Sequence, residues 1–124
     1  MCRFLSALFA WSAVVSAGFA QDASILCIVS GPPYQLQSDT VTWSMTLASG
    51  RSCLRGVIRS QYTTVENISV ITGPQSGQVL VEGPAIKYKG DPDFRGQDTF
   101  SLLVSGKFFK TSGSSTVKVL VSVR

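Results

Sequence analysis

Phe94-Arg95-Gly96-Gln97-Asp98-Thr99-Phe100 runs directly into Ser101-Leu102-Leu103-Val104, and the chain closes on Thr116-Val117-Lys118-Val119-Leu120-Val121-Ser122-Val123. In a strand, successive side chains point to opposite faces, so Phe100, Leu102 and Val104 share one face of their strand, and the four valines share one face of theirs. The Gly- and Ser-rich segment from Gly106 to Ser115 reads as the connection that turns the chain between these two strands. Upstream, Pro74-Gln75-Ser76-Gly77 has the residues of a tight turn: Pro presets φ, and Gly tolerates positive φ. Gln78 to Glu82 and Ala85 to Lys89 are short strands separated by Gly83-Pro84, and Val65 to Thr72 is a strand ended by Gly73-Pro74.

The N-terminal half continues the pattern less regularly. Val41, Trp43, Met45 and Leu47 alternate with Thr42, Ser44 and Thr46, the signature of a half-buried strand. Leu26 to Ser30 is a short apolar run stopped by Gly31-Pro32-Pro33, and Cys53 to Ser60 is read as a further strand. No stretch beyond the first twenty residues has a useful helical period. Short strands with turn signals between them predict an all-β fold: a single antiparallel sandwich of seven or eight strands, one face of each sheet in the core and the other wet.

Residues 1–20 read as a signal peptide. Arg3 precedes an apolar run from Phe4 to Val15, and Ser16-Ala17-Gly18-Phe19-Ala20 offers small residues for cleavage before Gln21. The alternative, an uncleaved anchor, needs about 20 predominantly apolar residues, and this segment is broken by serines. Residues 21–124 then form one domain, without linker or repeat, in the periplasm or at the cell surface. Of three cysteines, Cys2 leaves with the leader, and the remaining pair, Cys27 and Cys53, is expected to form a disulfide in an oxidising compartment.

The C-terminal half resembles the bacterial immunoglobulin-like and cadherin-like domains found in tandem along exported surface proteins. The resemblance rests on Pro74 and Gly77, Val79-x-Val81, Ile86-x-Tyr88, Phe94-x-Gly96-x-Asp98-x-Phe100 and the terminal valines, and covers residues 74–124. It implies an immunoglobulin-like or cadherin-like sandwich used for adhesion, spacing or display. A single copy and the cysteine pair depart from the tandem pattern.

Several residues invite a chemical reading. Asp91, Asp93 and Asp98 lie close together in a loop stiffened by Pro92, which makes them candidate calcium ligands. Few other acidic or Asn side chains support them, so no metal or other cofactor is expected. Asp98 is better suited to accept backbone hydrogen bonds in the bend at Gly96. Lys107-Phe108-Phe109-Lys110 places Phe108 on the core face and Phe109 outside, flanked by Lys107 and Lys110 as a candidate partner contact. Arg51, Arg55 and Arg59 recur every four residues on one face and are candidates for docking an anionic polymer or membrane surface. The net charge of +4 is too small for a nucleic-acid footprint, so nucleic acid is not an expected partner.

Trp43 with Tyr34, Tyr62 and Tyr88 could build a sugar platform, although a tryptophan packed on a disulfide is the commoner use in sandwiches. The chain has no histidine, which removes the usual general base and the serine and cysteine triads. Glu66 and Glu82 are the carboxylates for the alternative reading, a small periplasmic carbohydrate-active enzyme or an enzyme inhibitor. The expected function is therefore that of an exported, non-catalytic binding or structural module of a bacterial envelope. Its expected partner is a protein or envelope polymer, with a membrane met only through the leader before cleavage, and free edge strands open a route to self-association.

Overall fold

The computed structural model describes residues 27–57 and 60–124; the expected leader, residues 1–20, and Arg59 lie outside the described residues. Eight strands follow in chain order: β1 Cys27–Ser30, β2 Asp39–Leu47, β3 Ser52–Gly56, β4 Thr63–Thr72, β5 Gly77–Glu82, β6 Ala85–Gly90, β7 Gly96–Phe108 and β8 Thr111–Val123. They build a five-stranded sheet in the order β1-β2-β8-β7-β4 and a three-stranded sheet in the order β3-β6-β5. The described chain is all-β, with two sheets sharing one core.

The hairpin of β7 and β8 dominates the larger sheet, paired without interruption from Gly96 opposite Val123 to Phe108 opposite Thr111. Phe100, Leu102, Val104, Val117, Val119 and Val121 are fully buried, as the two-residue period requires. Facing them from the smaller sheet are Cys53, Ile86 and Tyr88, with the Tyr88 ring stacked parallel to that of Phe100.

The segment from Gly106 to Ser115 corrects the expectation of a long connection. It is paired strand almost throughout, and only Phe109 and Lys110 make the turn. Its glycines serve close approach. Gly106 and Gly113 lie opposite each other, and a Cβ on either would sit on a backbone carbonyl oxygen, that of Thr64 or of Leu36. Small residues here let neighbouring backbone press against the hairpin.

A second correction concerns strand direction. Every neighbouring pair is antiparallel except β2 and β8, which run parallel from Asp39 opposite Ser115 to Leu47 opposite Val123. No hairpin joins them: five strands, β3 to β7, lie between β2 and β8 in the chain and pass through both sheets, so the direction of the pairing is free.

Cys27 on β1 and Cys53 on β3 form a disulfide, with Cα atoms 5.4 Å apart, that ties the two sheets together. On the chain-entropy view, closing a loop across a separation of 26 residues stabilises the fold by about 3–4 kcal/mol. A disulfide of this kind is compatible with an oxidising, exported environment.

The loop from Gly31 to Ser38 plugs the core beside β2. Tyr34 and Leu36 are buried in it, and the Tyr34 hydroxyl donates to the Val57 carbonyl. Asp39 holds the loop in place, accepting the N–H groups of Gln35 and Gln37 and the hydroxyl of Ser115, which in turn accepts the Leu36 N–H. Burial pushes the Asp39 carboxyl up, but these hydrogen bonds outweigh it and hold it below its ordinary value.

Candidate functional site

Strand β7 spans the sandwich and carries a very different site at each end. At its first end Asp98, 6% exposed, accepts four hydrogen bonds. Gln75 N–H and Thr99 N–H reach Oδ1, each at 2.9 Å. Ser76 N–H (3.0 Å) and the Tyr88 hydroxyl (2.9 Å) reach Oδ2. The expectation that Asp98 accepts backbone hydrogen bonds was sound in chemistry and too local in geometry. Apart from its neighbour Thr99, its backbone donors come from the Pro74–Gly77 turn, more than twenty residues earlier. Burial raises the Asp98 carboxyl, and the N–H groups of Gln75 and Ser76, the Tyr88 hydroxyl and the Thr99 N–H together bring it below its ordinary value. Tyr88 moves the other way: burial, the hydrogen bond to Asp98 and the charges of Asp98 and Asp91 push its hydroxyl well up.

This geometry bears on the calcium candidates. Both oxygens of Asp98 already accept two donors each, while Asp91 and Asp93 point from an exposed loop. Among the described residues, no group of three or more acidic, histidine or cysteine side chains is gathered to hold a metal ion.

At the other end of β7, Phe109 opens the two-residue turn at φ 58°. That is the left-handed region, which two-residue hairpins normally give to Gly, Asn or Asp. Its ring is 61% exposed and stacks on Tyr62, itself 50% exposed, with centroids 4.7 Å apart and planes 16° from parallel. Phe108 packs edge-on against Phe109 at the same centroid distance while its own ring leans on the core. The Phe109 N–H donates to the Tyr62 carbonyl, locking the turn onto the loop before β4. Lys107 reaches Glu66 at 3.9 Å, both side chains about half exposed. Lys110 is exposed and makes no ion pair among the described residues. The outcome is an aromatic shelf with a cation beside it. Tyr62 was legible in the sequence only as one of four scattered aromatic residues.

The four-ring sugar platform is not assembled. Tyr34 and Tyr88 are buried, Tyr62 belongs to the hairpin shelf, and Trp43 lies half-buried under the Pro32 strap with its Nε1–H donating to the Pro32 carbonyl at 2.7 Å. Trp43 packs, half-buried, against the core cluster that includes Cys53, while the largest rings fully inside that core are Tyr34, Tyr88 and Phe100. Arg51 and Arg55 do not share a strand either, and Arg59 lies outside the described residues. Arg51 closes a turn against Ala48 before β3 begins, and Arg55 sits on β3 at the mouth of a cavity beside Trp43. A shared strand face for Arg51 and Arg55 would need β3 to begin at or before Arg51, and it begins at Ser52.

No protein-family model matches the chain, and no curated protein matches it.

Proposed function

We propose that the chain is an exported, non-catalytic β-sandwich module of immunoglobulin-like or cadherin-like type, working in adhesion or display in a bacterial envelope. Its contact surface is the hairpin tip of Phe109, Tyr62 and Lys110. The observation that carries this reading is Phe109 itself. A bulky residue at positive φ is costly, roughly 1–2 kcal/mol against Gly, and here it holds an aromatic ring in water instead of in the core. Aromatic residues, Phe and Tyr among them, are enriched in the cores of protein interfaces, and here two of them stand in water side by side. The non-catalytic part of the reading is supported by Asp98 and Asp39, the two most hydrogen-bonded carboxylates among the described residues, which are both committed to holding turns.

Binding of the purified domain to washed bacterial envelopes, measured as a saturation curve, tests this. Wild-type protein is expected to saturate, and Phe109→Gly and Lys110→Glu each to lose at least about tenfold in affinity while remaining folded, the loss typical of a hot-spot residue. Unchanged binding by both variants would remove the hairpin tip from the reading.

A further inference from the structure

A second feature lies away from the hairpin shelf, where the two sheets part between β1, β2 and β3. A cavity of about 400 Å³ opens there. Val29, Pro32, Pro33, Tyr34, Trp43 and Val57 give it apolar walls, and Arg55 stands at its mouth. The volume lies within the range of small-molecule sites.

The polar groups of the cavity decide what could occupy it. The Trp43 Nε1–H is committed to the Pro32 carbonyl and the Tyr34 hydroxyl to the Val57 carbonyl, so the two rings offer the cavity apolar surface. A sugar brings several hydroxyls, each of which needs a partner when buried, and among the described residues the remaining side-chain groups here are only Ser30 and Arg55. Arg55 is a different matter. It shares its strand parity with Cys53, so it stands on the side that faces the other sheet, and it makes no ion pair or hydrogen bond among the described residues. Among the described residues, no Asp or Glu lines the cavity. An unpaired guanidinium at the mouth of an apolar cavity matches a ligand with an apolar body and one carboxylate, which the planar fork takes in bidentate fashion.

We propose that this cavity binds an apolar carboxylate, an aliphatic or aromatic acid that is either free or the C-terminus of a peptide. Arg55 holds the carboxylate at the solvent edge, and the Trp43, Tyr34 and Val57 walls take the apolar body.

Trp43 supplies the readout. It is the only tryptophan in residues 21–124, so its fluorescence reports on the cavity in the domain without the leader. Titration with N-acetyl-leucine is expected to change that emission saturably, with a dissociation constant of about 1 mM or tighter, as the few atoms of such a ligand allow. N-acetyl-leucinamide, which lacks the charge, is expected to bind at least about tenfold more weakly, and Arg55→Gln to weaken the acid by a similar factor. The melting temperature of Arg55→Gln should stay at the wild-type value, because the side chain is exposed. Octanoate and the tripeptide Gly-Gly-Leu separate the two sources: the better binder identifies the free acid or the peptide C-terminus. Equal binding of acid and amide, an unaltered affinity in Arg55→Gln, or no saturable change with any of the acids would each overturn the assignment.

Discussion

The two ends of β7 use polar and aromatic groups in opposite ways. At the Gly96 end, a charged carboxylate is taken out of water and given four donors, and the aromatic rings beside it, Tyr88 and Phe100, are buried in a parallel stack. At the Phe108 end, an aromatic ring is left in water on a backbone that would prefer glycine, and Lys110 beside it makes no ion pair among the described residues. Burying Asp98 without its donors would cost several kcal/mol, so every part of that constellation must be present together. The gain from the ring stack that Phe109 makes and the cost of the left-handed backbone it occupies are of similar size, so the stability of the fold gains little from Phe109 over Gly. The difference separates residues that hold the sandwich from residues that it displays.

The contrast can be broken most sharply at Asp98. Asp98→Ala leaves the Tyr88 hydroxyl and two turn N–H groups without their acceptor, and is expected to lower unfolding free energy by about 3 kcal/mol or more in urea denaturation. A loss below about 1 kcal/mol would mean that water replaces the carboxylate and that this end is no more structural than the other. Tyr88→Phe removes one of the four donors while keeping the ring stack, so a loss of about 1 kcal/mol is expected from the same measurement.

Acid adds a test of sign. The folded Asp98 and Asp39 carboxyls lie below their ordinary values, so as pH falls the unfolded chain takes up protons before the folded one. The stability from these two groups is therefore fully present above the unfolded carboxylate value, about pH 4, and is lost as pH drops through the folded values. Melting temperature should fall between about pH 5 and pH 2, and Asp98→Asn should flatten that dependence relative to its own value at pH 7. A wild-type melting temperature that did not fall would contradict the bonded, charged state of both groups.

The smallest expected effect is the most telling for the comparison. Phe109→Gly relieves a left-handed residue and loses an exposed ring stack, and the two terms are of similar size, so stability is expected to shift by less than about 1 kcal/mol in either direction. A loss comparable to that of Asp98→Ala would make the hairpin tip part of the structural framework and remove the ground for reading it as a contact surface.

Much of the architecture could be read from alternation alone. Phe100, Leu102, Val104 and the four valines lie where a two-residue period puts them, and the boundaries at Gly73-Pro74 and Gly83-Pro84 hold because neither residue pair continues a strand. The Gly106-to-Ser115 segment misled for an equally physical reason: glycine marks both turns and places where backbones crowd, and only the Thr64 and Leu36 carbonyls distinguish the second case. Tyr34 and Leu36, in a loop bounded by prolines and polar residues, had no period to reveal them as core. Arg55 was visible as a cation; its cavity was not, because that depends on how far the sheets separate beside the disulfide.

By itself, then, the order of residues determined an all-β chain, its strand periods, and the cysteines available to pair outside a reducing compartment. Those properties depend on neighbours one or two positions away. Only the tertiary structure decided that β2 lies parallel to β8, that Asp98 caps the Pro74–Gly77 turn instead of its own bend, that Tyr62 is the ring beneath Phe109, and that Trp43 and Arg55 share a cavity. Each of these joins residues from distant parts of the chain, and the two-residue period that orders a single strand carries no information about which other strand will lie beside it.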